Sequence, residues 1–460
     1  MNLSALFPLI KSFRHIRLDQ FTEPEIVFSQ FFQKNYAVLL CGKGTSDNSR
    51  FAYIGINPFL KIKHKGTEAT VNFNDREESL AVDPFRIFGD ALRSYPMQDY
   101  PFPTSLWGAF GYFAYDAAHF IEKLPKTTID DLSMPIMEMV FYRNLIVFDY
   151  QQKQAFLVQA DSGEGFTDPT KIKEAFTKDA VKVGDYTVES PRSCCCKEQY
   201  LVLVKKIIDY IKQGDVYEVN LSHRFHAKYR GDPYRIFLNL YRINSAPFSA
   251  YLNFGDNIII SNSPERFLKT EGIYVETRPI KGTIGRGKTK GEDQKNRLLL
   301  AGSEKEEAEL SMIVDLLRND LGKVCEYGSV RVREHKRIEA FSNVWHLLSI
   351  IEGRIRKDED ITSLIRACFP GGSITGCPKI RSMEIIDELE TYARNLYTGM
   401  IFTGNDQRLD SSIVIRTIIA KNKHLYFSVG GAIVYDSLPE REYKETLQKA
   451  QSIMKAFKVR

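Results

Sequence analysis

The sequence predicts an α+β fold: large antiparallel β-sheets packed as a sandwich, with helices on the outside. Three observations carry this expectation. Residues 1–160 are rich in aromatics and break into short runs bounded by turn residues, the pattern of strands. From residue 197 onward, helical and strand patterns mix without strict alternation, which favours antiparallel sheets. Hydrophobic residues make up 43% of the 460, so a core large enough to hold sheets and helices together is available.

In chain order, strands are expected at 36–40, 51–56, 59–64, 140–150 and 155–158. Apolar density then falls between 161 and 193, where Asp168-Pro169 opens a short polar helix with an acidic cap and proline in the first turn. That stretch divides an N-terminal part, 1–190, from a C-terminal part, 191–460, within a single body spanning 1–460. Leu201, Val204, Ile207, Ile208 and Ile211 recur at helical spacing over 197–213, and Gly214 ends the helix. Strands follow at 219–225, 249–254, 257–261 and 273–280, and helices at 303–320, 361–369 and 379–389. Strands at 412–420 and 425–429 and a helix near 440–457 complete the chain.

Composition excludes several classes. Charged residues at 26% and 30 Phe with 23 Tyr describe an ordinary globular chain, not a disordered one. No apolar run approaches the roughly 18 residues that cross a bilayer, so no membrane role is expected. Residues 1–10 lack a basic region before the apolar stretch and contain Pro8, a poor secretion signal. Seven cysteines, an odd number widely spread, fit reduced thiols and a cytoplasmic setting. Lys and Arg number 63 against 58 acids and are interspersed with them, so no nucleic-acid stripe is present.

Certain residues carry chemistry. In the alternation of 411–420, Arg416 shares a face with Val414 and Ile418; a guanidinium there needs an anion, either an internal carboxylate or a ligand carboxylate. Ser303 and Glu306 fit a capping box, with Glu309 one turn further on the same face. Ser437-Leu438-Pro439-Glu440 opens the last helix similarly, and Glu442, Glu445 and Lys449 share a face. The two carboxylate pairs admit two readings: helix-dipole acids on solvated faces, or oxygen ligands for Mg2+ if the faces meet. The glycine turns match no phosphate loop, and Cys194, Cys195 and Cys196, adjacent in the chain, read as structural.

Six ordered segments together resemble the chorismate-utilising enzymes, a group that includes anthranilate, aminodeoxychorismate, isochorismate and salicylate synthases. They are GDVYEVNLSHRF (214–225), SPERF (263–267), RPIKGT (278–283), AELSMIVDLLRNDLG (308–322), FPGGSITGCPKIRSMEIIDELE (369–390) and GGAIVYDSLPEREYKET (430–446). SRFAYIGINP (49–58) extends the likeness more loosely into the first half. Lys281 in RPIKGT is similar to the aminodeoxychorismate synthase branch, whereas anthranilate synthases carry alanine there. The resemblance implies that chorismate and ammonia give 4-amino-4-deoxychorismate, the precursor of p-aminobenzoate for folate synthesis. The alternative is anthranilate synthase component I.

The same resemblance implies roles. Lys281 attacks ring C2 as the 4-hydroxyl leaves, and ammonia displaces it by adding at C4. Such a lysine is expected to be desolvated or near other cations. Glu265 is the general acid, with an ion pair to Arg266 as its structural alternative. Glu309 and Glu445 bind Mg2+ directly and Glu306 and Glu442 through water. Arg416 and Tyr397 hold the enolpyruvyl carboxylate with amides of Gly430, Gly431 and Ala432, the last departing from the usual glycine. Gly282, Thr283, Ser373 and Lys449 complete the pocket, and His346 corresponds to a histidine near the ring, with a satisfied core histidine as its structural alternative. No Gly-x-Cys-x-Gly turn is present, so ammonia is expected from a glutamine amidotransferase subunit. Leu39-Leu40-Cys41-Gly42 replaces the LLES of tryptophan-regulated relatives. Glu218 stands where isochorismate and salicylate synthases carry lysine; it admits a base for water, a site for ammonium, or a pair with Arg224 or another buried base.

Overall fold

The computed structural model describes residues 3–43, 48–73, 76–341 and 343–457. Among them, 23 strands join by hydrogen bonding into one continuous, antiparallel network, with α-helices laid against it. The α+β expectation of large antiparallel sheets holds. The two parts of the chain interleave within this network: Val38–Cys41 lies between Phe51–Lys65 and Phe248–Asn253, and Ala109–Phe113 pairs with Met400–Gly404.

Segments expected at 51–56 and 59–64 form one strand, Phe51–Lys65, paired with Met137–Asp149. Pro58 sits at a bulge in that ladder, where its missing N–H is tolerated. The helix Lys197–Gln213 has the expected bounds; it buries Tyr200, Val204 and Ile207, and Gly214 closes it at φ 86°, a conformation that glycine adopts without strain. Helices at Pro84–Arg93 and Pro233–Ile243 went unread, although each follows the same Asp-Pro signal as Asp168-Pro169. Asp83 accepts from the Phe85 and Arg86 amides and Asp232 from the Tyr234 amide. Also unread were the helix Lys290–Ala301 and the strands Arg266–Glu271, Arg331–Ala340 and Val344–Arg354.

Three further expectations change. Residues 411–420 are two strands, Arg408–Ile413 and Thr417–Lys421, and Arg416 between them takes φ 51°. Arg416 therefore leaves the alternation of both strands, and a left-handed, non-glycine residue costs about 1 kcal/mol. Ser303 accepts from the Glu306 amide at 3.4 Å, but the helix Glu304–Gly322 shows no reciprocal bond from Glu306. Ser437 does not cap the helix Pro439–Met454; Leu438 holds that position, and the Ser437 hydroxyl donates to Glu442 at 2.8 Å.

Two large cores pack the network. One gathers Trp107, Phe110, Phe113 and Phe141 with Leu310, Ile313 and Leu317 from Glu304–Gly322. Each such fully buried side chain contributes about 1.5–3 kcal/mol, which fixes the acidic face of that helix relative to the sheet. The other joins Phe28, Phe225, Tyr234, Tyr251 and Phe427 with Ala450 and Ile453 of Pro439–Met454, anchoring the second acidic helix.

Candidate active site

Lys281 lies on the strand Ile280–Gly285, where a bulge against Val344–Arg354 interrupts the register between Lys281 and Thr283. Gly282 at the bulge takes φ 74°, and a Cβ there would come within 3.1 Å of Glu306 Oε2. The left-handed backbone favours glycine, and a side chain there would press on Glu306. The Lys281 ammonium donates to Glu218 Oε1 at 2.8 Å, with side chains 10% and 0% exposed. Burial pulls the Lys281 pKa down, but the carboxylates of Glu218, Glu309 and Glu265 more than offset it and hold it above its ordinary value. Of the two settings expected for this lysine, desolvation is met, while its charged neighbours are acidic instead of cationic, brought in from remote strands and a helix. Glu218 does not pair with Arg224, whose guanidinium is taken by Asp131 through bonds of 2.8 and 2.7 Å.

Glu265 is buried beside this pair. Its Oε1 accepts from the Ser373 hydroxyl at 2.7 Å. Burial pushes its pKa up to about 7, against the lowering effects of Ser373, Lys281 and Arg416. Arg266, next in sequence, turns instead to Asp410, Glu276 and Asn48, so Glu265 is left to the site. The Arg416 guanidinium has no hydrogen-bond or ion-pair partner among the described residues, and burial lowers its pKa despite the field of Glu265. His346 is buried and lies within a hydrogen bond of Thr283 Oγ1, 2.8 Å from Nδ1, while its Nε2 has no partner among the described residues. Burial, reinforced by Arg416, drives its pKa down to about 3; the imidazole is neutral. Tyr397 is buried, its ring centroid 5.7 Å from the Arg394 guanidinium.

The two acidic helices face the same region. Burial raises Glu309, countered by Lys281 and raised further by Glu218 and Glu306. Burial also raises Glu442, with Glu445 adding to it and Ser437 opposing it. Glu445 is depressed: burial works against it, but Lys449, 2.7 Å away, wins. Lys449 also donates to the Gly430 carbonyl at 2.9 Å. Lys305, missed in the sequence, lies in the field of Glu309, Glu442, Glu306 and Glu445, with its ammonium 3.7 Å from Glu309. Its i, i+4 spacing to Glu309 was the available signal. Among the described residues no three acidic, histidine or cysteine side chains close on one point. The donor set is nonetheless oxygen-only, and two of its acids, Glu309 and Glu442, are raised by burial and by neighbouring carboxylates, which fits a hard cation such as Mg2+.

Gly430 and Gly431, with Ala432, were expected in a glycine-rich turn. They stand in the strand His424–Ile433, opposite Ser222, Leu221 and Asn220. A Cβ on Gly430 would meet the Leu221 carbonyl at 2.7 Å and Asn220 Oδ1 at 2.8 Å. That Asn220 oxygen is itself buried without a partner among the described residues, and no sequence signal marked it. Glu218, Asn220, His346 and Arg416 therefore bring unmatched acceptors and a guanidinium donor to a buried region, an arrangement suited to a polar ligand that both donates and accepts hydrogen bonds.

A family model described as chorismate binding enzyme matches residues 39–455. Aminodeoxychorismate synthase component 1 of Escherichia coli (strain K12) is 38% identical over 442 residues, covering 94% of this chain and 95% of that protein. Its counterpart in Bacillus subtilis (strain 168) is 36% identical over 440 residues, covering 93% and 92%. The crystal structure of anthranilate synthase component I from Streptococcus pneumoniae TIGR4 superposes with a TM-score of 0.76 at 29% identity, covering 89% of this chain and 93% of that one.

Proposed function

Because the chain belongs to the chorismate binding enzyme family, we propose that it is the amine-adding enzyme that converts chorismate and ammonia to 4-amino-4-deoxychorismate for p-aminobenzoate and folate synthesis. The observation that carries this reading is Lys281: the residue that separates the amination branch from the anthranilate branch is buried, in the field of Glu265, and paired with Glu218. The whole-length likeness to aminodeoxychorismate synthases supports it.

The Lys281 nitrogen attacks ring C2 while the C4–O bond breaks. Glu265 gives its proton to the departing hydroxyl and regains the one that Lys281 loses, so water leaves and a secondary ammonium joins Lys281 to the ring. Glu265, at about 7, is poised to be protonated when that hydroxyl departs. Ammonia then adds at C4, the C2–N bond breaks, and its electron pair returns to Lys281. Arg416, without a partner among the described residues, holds the enolpyruvyl carboxylate together with Tyr397. Neutral His346, positioned by Thr283, offers a hydrogen bond near the ring, not a charge. Mg2+ held by Glu309 and Glu445, with Glu306 and Glu442 behind them, would supply positive charge for the ring carboxylate. Ammonia comes from a glutamine amidotransferase subunit. The setting is the cytoplasm, in keeping with seven cysteines that are all free thiols.

The test is an incubation of the purified chain with chorismate, Mg2+ and ammonium, followed by 4-amino-4-deoxychorismate lyase. p-Aminobenzoate is expected; anthranilate or isochorismate as the main product refutes the reading.

A further inference from the structure

We infer that the buried ion pair of Glu390 and Arg394 is a positioning pair for the reaction: it holds the strand that carries Glu218, the turn that carries Ser373 and the turn that carries Tyr397 in one register. This inference rests on the amination reading and deepens it. The helix Lys379–Leu389 ends before Glu390, so the two residues meet through a loop and not along a helix face. Their side chains are 5% and 2% exposed, and Arg394 binds both Glu390 oxygens, through Nε at 2.9 Å and Nη2 at 2.7 Å. Burial works against the charge on Arg394, but Glu390 holds its pKa above the ordinary value.

Every N–H of this guanidinium is used. Beyond Glu390, Nη2 donates to the Asn220 carbonyl at 2.6 Å, and Nη1 donates to the Ile374 carbonyl at 2.9 Å and to Thr398 Oγ1 at 3.3 Å. Glu390 Oε1 also accepts from the amide and the hydroxyl of Ser222, each at 2.8 Å. Asn220 and Ser222 lie on an edge of the strand Glu218–Gly231 that has no strand beside it there among the described residues. Gly376–Cys377 ends opposite Val219, and Arg192–Ser193 is met only at Phe225. The ion pair takes the place of the missing neighbour, just beyond Glu218. Ile374 follows Ser373, which bonds Glu265, and Thr398 follows Tyr397, whose ring centroid is 5.7 Å from the guanidinium.

A buried ion pair adds little stability over apolar residues of the same volume. What this one adds is direction. It fixes backbone carbonyls beside three site residues, and a small misplacement of such residues is costly to the reaction. Lys281 and Arg416, the cations in the field of Glu265, are not among its partners.

The experiment is steady-state kinetics of chorismate amination across pH for wild type, Arg394→Lys and Glu390→Gln, with thermal melts to check the fold. Arg394→Lys keeps the charge but loses the fork of donors. Its kcat should fall roughly 10- to 100-fold, and the chorismate KM should rise because Tyr397 shifts. The alkaline limb of kcat should move up, because Ser373 drifts from Glu265; in a Ser373→Ala background, Arg394→Lys should move it no further. Glu390→Gln, which keeps an oxygen for Ser222, should act in the same direction and decides if Arg394→Lys fails to fold. A fall in kcat with the KM and the limb in place is what a merely structural pair gives, and overturns the proposal. So do unchanged kinetics, a limb that moves as far in the Ser373→Ala background as in wild type, or loss of the fold in both single variants. Failure of the amination reading is separate and shows in wild type alone, as anthranilate or isochorismate in place of the amino product.

Discussion

Ser373 donates a 2.7 Å hydrogen bond to Glu265, yet the Glu265 carboxyl still titrates at about 7, because burial outweighs that bond and the nearby cations. A general acid works in its protonated form, so turnover should fall as pH rises through about 7. Ser373→Ala removes a bond to the charged form, worth about 1.5 kcal/mol, and should move the alkaline limb up by about one unit. A pH profile of kcat checks both; a limb that stays in place contradicts the assignment. The same shift acts on stability. Because the folded pKa is raised, Glu265 contributes most below its ordinary value of 4.5, and the contribution is lost as pH climbs through about 7.

Lys281→Ala should lower turnover at least about a hundredfold and abolish the adduct that mass spectrometry is expected to trap on the wild-type peptide. It also strands Glu218 as a buried, unpaired charge, which costs about 3–5 kcal/mol. The double variant Lys281→Ala with Glu218→Ala should recover much of that loss in urea melts. Undiminished turnover in the single variant would exclude the covalent route.

Glu309→Gln and Glu445→Gln should each raise the Mg2+ concentration needed for activity by about tenfold or more, since each removes charge from an oxygen donor. Excess Mg2+ should restore part of the activity. Isothermal titration with Mg2+ alone gives an independent readout. Full activity of both variants in a chelator would dismiss the metal.

Glutamine alone should give no product with the isolated chain, and adding a glutamine amidotransferase subunit should restore it. The comparison needs only the product assay with glutamine in place of ammonium. Efficient glutamine use by the chain itself would contradict the reading.

Tryptophan at micromolar concentration should not inhibit. Cys41 and Gly42 stand where regulated relatives carry a carboxylate and a hydroxyl, and a Cβ on Gly42 would meet Ser49 Cβ at 2.6 Å and the Pro247 carbonyl at 2.8 Å. A dose–response curve decides it.

Elements with local signals were legible. The helix Lys197–Gln213 carries its apolar spacing and its closing glycine in sequence, and the structure keeps both. The strand Arg331–Ala340 was illegible because its charges, RVREHKRIEA, hide a half-buried alternation. Arg416 was recognised as needing an anion, but its place was misread, since nothing local announces a left-handed residue between two strands. The field around Lys281 was invisible for another reason. Glu218 lies 63 residues away and Glu309 reaches the site from a helix, so only tertiary packing sets their sign.

The pairing of Ala109–Phe113 with Met400–Gly404, and of Val38–Cys41 with Phe248–Asn253, has a consequence for the order of synthesis. The N-terminal strands leave the ribosome long before their partners exist. Until residue 404 has emerged, Ala109–Phe113 keeps one open edge, of the kind that recruits other chains. Completion must bridge nearly 300 residues of intervening chain, which slows the search for native pairing. A fragment of residues 191–460 meets the mirror problem: Phe248–Asn253 and Met400–Gly404 would each lose a neighbour, and the fragment should aggregate unless the missing half is supplied alongside it.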